Sequence, residues 1–166
     1  MSGTSRRLRT SGAAAATLLA AACATTTQMP ADYRWFYRDS YGAAGAAGEP
    51  IALYGPPETS ALYVFECHSA ARAIGIVSVD VEPFEGSRPL GLRVGRARWS
   101  GEERMSDGDG QELSRAMVPL DHPVLDEIAA GRGPIRIVHP QGVAPLPAGE
   151  PPARVVGECR RRSASL

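Results

Sequence analysis

The sequence predicts a mainly β fold, a small antiparallel β-sandwich or open barrel with one or two short helices. Three observations carry this expectation. About seven short apolar or alternating segments follow one another between residues 50 and 146, with turn residues between them. Glycine and proline supply 18 and 14 of the 166 residues, which suits a turn-rich chain with a modest core. Helical spacing of apolar residues begins only at Asp121 and after Pro151.

Taken in order, Tyr33, Trp35, Phe36, Tyr37 and Tyr41 crowd half of the ten aromatic residues into nine positions. They suit an N-terminal strand or turn that plugs one end of the core. Tyr33, Trp35, Phe36 and Tyr37 are also the candidate binding patch, should the rings face outward. Residues 42–48 (GAAGAAG) are low-complexity and lack the Gly-Lys of a phosphate loop. Residues 51–54 form a brief apolar run stopped by Gly55-Pro56-Pro57. Residues 61–67 (ALYVFEC) are apolar almost throughout, as in a central strand covered on both faces. Residues 73–81 place Ile74 and Ile76 on one face and Val77, Val79 and Val81 on the other. Leu90, Leu92 and Val94 alternate with Gly91, Arg93 and Gly95, and Ala97 and Trp99 continue the rhythm. Residues 106–110 (SDGDG) read as a hairpin turn, and residues 112–120 as the returning strand. Asp121-His122-Pro123 opens a helix, with proline where its missing N–H costs nothing. Val124, Leu125 and Ile128 give that helix one apolar face, and Gly131 ends it. Ile135 and Ile137 mark a further strand, and residues 142–146 a last short one. In the terminal segment Val155, Val156 and Cys159 share a helical face.

The first 22 residues read as an export signal. Arg6, Arg7 and Arg9 precede an apolar run over residues 13–22 that ends in small residues. Ten residues span only about 15 Å as a helix, too short for a bilayer. Leu18-Leu19-Ala20-Ala21-Ala22-Cys23 resembles the lipobox of bacterial lipoproteins, with Leu19 one place earlier than the family favours. The resemblance implies a diacylated Cys23 (palmitate or a similar acyl chain), with residues 23–31 as lipidated cysteine and tether and 32–166 as a single domain. It also implies a periplasm-facing anchor in the cell envelope, and Ala24 after the cysteine favours the outer membrane. Ordinary cleavage near Ala22, leaving Cys23 as a thiol, is the alternative. Of three cysteines, lipidation would use Cys23 and leave Cys67 and Cys159 as a pair in an oxidising compartment. One disulfide thus completes the expected fold class.

Composition excludes several functions. All 18 basic residues are arginine, against 18 acids. Without lysine there is no phosphate-loop lysine, Schiff-base lysine or Ser-Lys dyad. The leader holds three of the arginines, so the mature chain carries a net charge of −3 and no nucleic-acid partner is expected. His68, His122 and His139 lack zinc-site spacing, so no metal and no cofactor are expected. Asp107-Gly108-Asp109-Gly110 begins like a calcium loop but lacks the glycine at its sixth place and the later glutamate. Asp80, Glu82 and Glu85 could pair as in sugar hydrolysis, but an acidic solvated loop after a strand is the safer reading. No nucleophile elbow or metalloprotease motif occurs.

The Leu53-Tyr54-Gly55 strand, the Pro57-Glu58-Thr59 turn, the strand ending at Cys67, the helix opening at Asp121 and the late cysteine together resemble small exported proteins of high-GC bacteria. That resemblance implies a β-rich, disulfide-closed domain and transfers no catalytic residue. The expected function is that of a lipid-anchored, non-catalytic binding or structural module. Its partners would be the membrane, through the lipid, and an envelope protein or cell-wall component. An inhibitor of an envelope or foreign hydrolase, presenting residues 86–88 or 106–110, is the first alternative. An enzyme with a scattered His/Asp site is the second.

Overall fold

The computed structural model describes residues 29–39, 48–57, 61–79, 81–108 and 111–166. The leader, Cys23, most of the tether, Tyr41 and the tip of the 106–110 turn lie outside the described residues.

Nine strands form one antiparallel sheet: β1 (Arg34–Arg38), β2 (Ile51–Gly55), β3 (Tyr63–His68), β4 (Ala73–Val79), β5 (Ser87–Val94), β6 (Ala97–Gly108), β7 (Gln111–Pro119), β8 (Ile135–His139) and β9 (Gly142–Leu146). Their spatial order is β1-β2-β3-β4-β7-β6-β5-β8-β9, and the sheet curls into a half-barrel. Of the two expected architectures, the open barrel is therefore the one adopted. The count is nine rather than about seven, because the aromatic segment forms β1 and the rhythm expected to continue from Leu90 through Trp99 instead turns back at Gly95, with φ of +55°, into two paired strands, β5 and β6. A second sheet is unnecessary, because two helices fill the concave side. Helix α1 (Pro123–Ala129) packs on β5 and β6, and α2 (Glu150–Ser163) on β1 to β4.

Strand alternation explains the core. Phe65 and Cys67 of β3, Ile74 and Ile76 of β4, Leu90, Leu92 and Val94 of β5, and Ile135 and Ile137 of β8 all point inward. They meet Val124, Leu125 and Ile128 of α1 and Val155, Val156 and Cys159 of α2. Each such side chain contributes about 1.5–3 kcal/mol of apolar burial. The outer face of the central strands carries a smaller cluster of Ile51, Val64, Val77 and Leu113. That is why β3 and β4 are apolar at almost every position.

Local signals act as expected at both helices. Pro123 occupies the first turn of α1, and His122 caps it by accepting from the Val124 N–H at Nδ1, 3.2 Å away. Gly131 follows with φ of +64°, a backbone conformation that suits glycine. In α2, Cys159 faces β3 and forms a disulfide with Cys67, with a Cα–Cα distance of 5.3 Å. At the hairpin, Gly108 of β6 pairs with Gln111 of β7, so two residues connect the strands.

Candidate functional site

At one end of the half-barrel the inward phase of six neighbouring strands turns from apolar to polar. Tyr63 of β3 continues the line of Phe65 and Cys67, and it pairs across the ladder with Ser78 of β4. Ser78 in turn pairs with Ser114 of β7. On β5, Arg88 continues the line of Leu90 and Leu92 and directly opposes Glu103 of β6. His139 ends β8 in the same phase as Ile135 and Ile137. Antiparallel pairing brings these six inward polar positions to one rim, past which β6 and β7 run on.

Glu103 is the hub, and its side chain is fully buried. Its Oε1 accepts from Arg88 Nε at 2.6 Å and lies 3.2 Å from His139 Nδ1, while its Oε2 accepts from Ser114 Oγ at 2.6 Å. Burial pushes the Glu103 carboxyl up, but the hydrogen bonds from His139, Ser114 and Arg88 outweigh it and hold the group below the usual carboxylate range. An ionised Glu103 only accepts, so the proton of a neutral His139 ring sits on Nδ1. Nε2 is then an acceptor for the Tyr63 hydroxyl, 3.3 Å away. Burial raises the Tyr63 phenol to about 12, with the Glu103 charge adding to the rise and Arg88 opposing it. Tyr63 is therefore a protonated donor at neutral pH and a poor nucleophile.

The rim opens into a cavity of about 410 Å³ lined by Tyr63, Ser78 and Arg88, with Val79, Val81 and Val143 as apolar walls. Met29 and Pro30 also border it, so the chain arriving from the N-terminal side passes the mouth. The Ser78 Oγ is buried with no hydrogen-bond partner among the described residues. A buried hydroxyl left unpaired costs about 1–3 kcal/mol, which a ligand could recover. Arg88 uses only Nε toward Glu103, and its guanidinium lies 4.1 Å over the Phe84 ring. The cavity thus combines donors, from Arg88 and Ser78, with the lone pairs of Tyr63 as acceptor.

The aromatic residues singled out in the sequence lie elsewhere. Tyr33, Trp35 and Tyr37 are half-buried and pack against the core cluster. Trp35 lies 5.3 Å from Phe65 and 5.1 Å from Tyr54, and its Nε1 donates to the Pro147 carbonyl at 2.8 Å. The Tyr37 hydroxyl lies 2.7 Å from Glu158 Oε2 of α2. Its pKa is raised, by burial first and then by that hydrogen bond. Phe36 points to the opposite face of the sheet, where it lines a separate hollow of about 290 Å³.

The histidines separate as well. His68 sits on the outer face beside Glu66 at 3.2 Å, while its neighbour Cys67 points inward to the disulfide. No group of three metal-ligating side chains occurs among the described residues. Glu82 lines the mouth, whereas Asp80 lies outside the described residues. Arg88, in the segment considered for inhibitor presentation, turns inward to Glu103.

Of the mouth residues, His139 and Glu82 drew notice in the sequence as candidate chemistry, and Arg88 only as the end of a loop considered for inhibitor presentation. The available signal was phase: Tyr63, Ser78, Arg88, Ser114 and His139 each extend the apolar alternation of a strand by one polar inward position. No protein-family model, curated protein or solved structure matches the chain.

Proposed function

We propose that the protein is a lipid-anchored module of the cell envelope that binds an envelope or cell-wall component in the half-barrel mouth, without catalysis. The observation that carries this reading is the half-buried Arg88–Glu103–His139–Tyr63 chain, centred on the buried Glu103 carboxylate, beside the Ser78 hydroxyl that has no partner among the described residues. A polar network that is held rigid and leaves a buried donor open to a cavity suits recognition of hydroxyl or amide groups. The raised Tyr63 phenol suits hydrogen bonding better than nucleophilic attack. Met29 and Pro30 at the mouth fit an anchor at Cys23, because six residues of chain reach at most about 20 Å.

Photo-crosslinking in intact cells tests both parts. A crosslinking residue at Val143 should capture an envelope component, and Ser78→Val with the paired replacement Arg88→Met/Glu103→Leu, which leaves no buried charge unpaired, should abolish the adduct. Equal capture from the outward position Arg104 would defeat the mouth as the binding site. Cys23→Ala should release the protein from membranes, and an unchanged mass and membrane fraction would remove the anchor.

A further inference from the structure

The outer face of the other half of the sheet carries an arginine ladder. Arg98 of β6 is the direct cross-strand partner of Arg93 of β5, which is itself the partner of Arg136 of β8. All three are exposed, since Leu92, Val94, Ile135 and Ile137 take the inward positions beside them. Directly opposed residues hold their Cβ atoms about 4.5–5.5 Å apart, and like charges in that position destabilise a sheet. Several other arginines are neutralised, Arg88 by Glu103, Arg115 by Glu66, Arg154 by Glu158 and Arg160 by Asp126; Arg34, Arg38, Arg72 and Arg96 also lack an ion pair among the described residues, but none of these four opposes another arginine across the sheet. Arg93, Arg98 and Arg136 have no ion pair or hydrogen bond among the described residues. The row covers about 10 Å, two strand spacings. Beside it lies a hollow of about 440 Å³ that Arg93 and Arg98 share with Pro89, Gly91, Ser100 and Val138.

We infer that this ladder docks on the anionic phosphate headgroups of a lipid bilayer. Guanidinium groups match phosphate oxygens through paired N–H donors. The adjoining hollow, with apolar Pro89 and Val138 in its walls, can take the glycerol end of the same lipid. A short ladder on a chain of net acidic charge favours contact with a charged surface over wrapping by a long polyanion, which the remaining acids would repel. The inference does not depend on the mouth. With an anchored Cys23, the ladder would set which side of the domain faces the bilayer.

The test uses the full chain carrying Cys23→Ala, sedimented with vesicles of phosphatidylglycerol and phosphatidylcholine or of phosphatidylcholine alone. Each arginine near an anionic surface accounts for about a fivefold gain in partitioning, so the triple variant R93Q/R98Q/R136Q should lose on the order of 100-fold on anionic vesicles. Binding to neutral vesicles should not change. The charge-matched triple R34Q/R38Q/R161Q, which leaves the ladder intact, should lose far less. Equal losses in the two triples would reduce the effect to net charge and overturn the ladder. Failure to bind anionic vesicles, with inorganic phosphate still protecting Arg93, Arg98 and Arg136 from phenylglyoxal, would assign the site to free phosphate and overturn the lipid. The ladder variant should melt at or above the wild-type temperature, because it removes opposed like charges; a folding defect cannot then mimic lost binding.

Discussion

Arg88 and Glu103 face one another directly across β5 and β6, with Nε 2.6 Å from Oε1 and the carboxylate fully excluded from solvent. Such a pair adds little net stability over apolar residues of the same volume, but breaking one side leaves a buried charge uncompensated. The pair therefore makes sense as a device that fixes His139 and Tyr63 at the mouth.

Glu103→Ala should destabilise the fold by about 3 kcal/mol, because Arg88, only 16% exposed, loses its partner. The double replacement Glu103→Leu with Arg88→Met should lie much closer to wild type. Urea unfolding of the three proteins measures this. A double variant as unstable as Glu103→Ala would show that the loss comes from packing and not from the unpaired charge.

Acid should weaken the same network. The folded-state pKa of Glu103 lies below its unfolded value, so its contribution is fully present above the unfolded pKa of about 4.3 and is lost as pH falls through the lower folded value. Thermal midpoints recorded from pH 7 down to pH 3 should fall on the acid side in wild type. Glu103→Gln should begin lower and show a shallower acid slope.

The Cys67–Cys159 disulfide joins residues 92 positions apart. A loop of that length corresponds to about 4–5 kcal/mol of unfolded-state entropy. Reduction, or Cys159→Ser with Cys67→Ser, should lower stability to urea by up to that amount. Non-reducing peptide mapping should recover the two cysteines in one linked peptide.

Gly149 precedes α2 where the Trp35 ring comes closest, and a Cβ there would lie 2.8 Å from Trp35 Cδ1. The ring cannot retreat easily, since Tyr54 and Phe65 hold its other side and Pro147 holds its nitrogen. Gly149→Ala should therefore cost about 1–3 kcal/mol. In a Trp99→Phe background it should also shift Trp35 fluorescence toward that of a solvated indole, while wild-type emission stays blue-shifted.

The elements were more legible than the site. Leu90, Leu92 and Val94 declare their strand by alternation, and His122-Pro123 with Val124, Leu125 and Ile128 declares α1. The mouth is built from the same alternation carried one step further, to Arg88 before Leu90 and to His139 after Ile137. In a single sequence a polar residue at a strand end looks like ordinary solvent exposure. The aromatic segment drew attention by density alone, yet Trp35 spends its ring on Phe65 and its nitrogen on Pro147.

The sequence by itself determined what depends on near neighbours: which face of each strand is apolar, where α1 begins and ends, and which cysteines remain to pair once Cys23 is set aside. Periods of 2 and 3.6 residues are local properties of the backbone, so they can be read from one chain. Tertiary structure alone decided that β4 lies beside β7 and β5 beside β8, that one sheet curls around two helices, and that six polar inward positions meet at one rim. It also decided that Arg98, Arg93 and Arg136 form a row. Strand neighbours and their register are chosen by long-range pairing and shared burial, and local alternation is compatible with many such pairings.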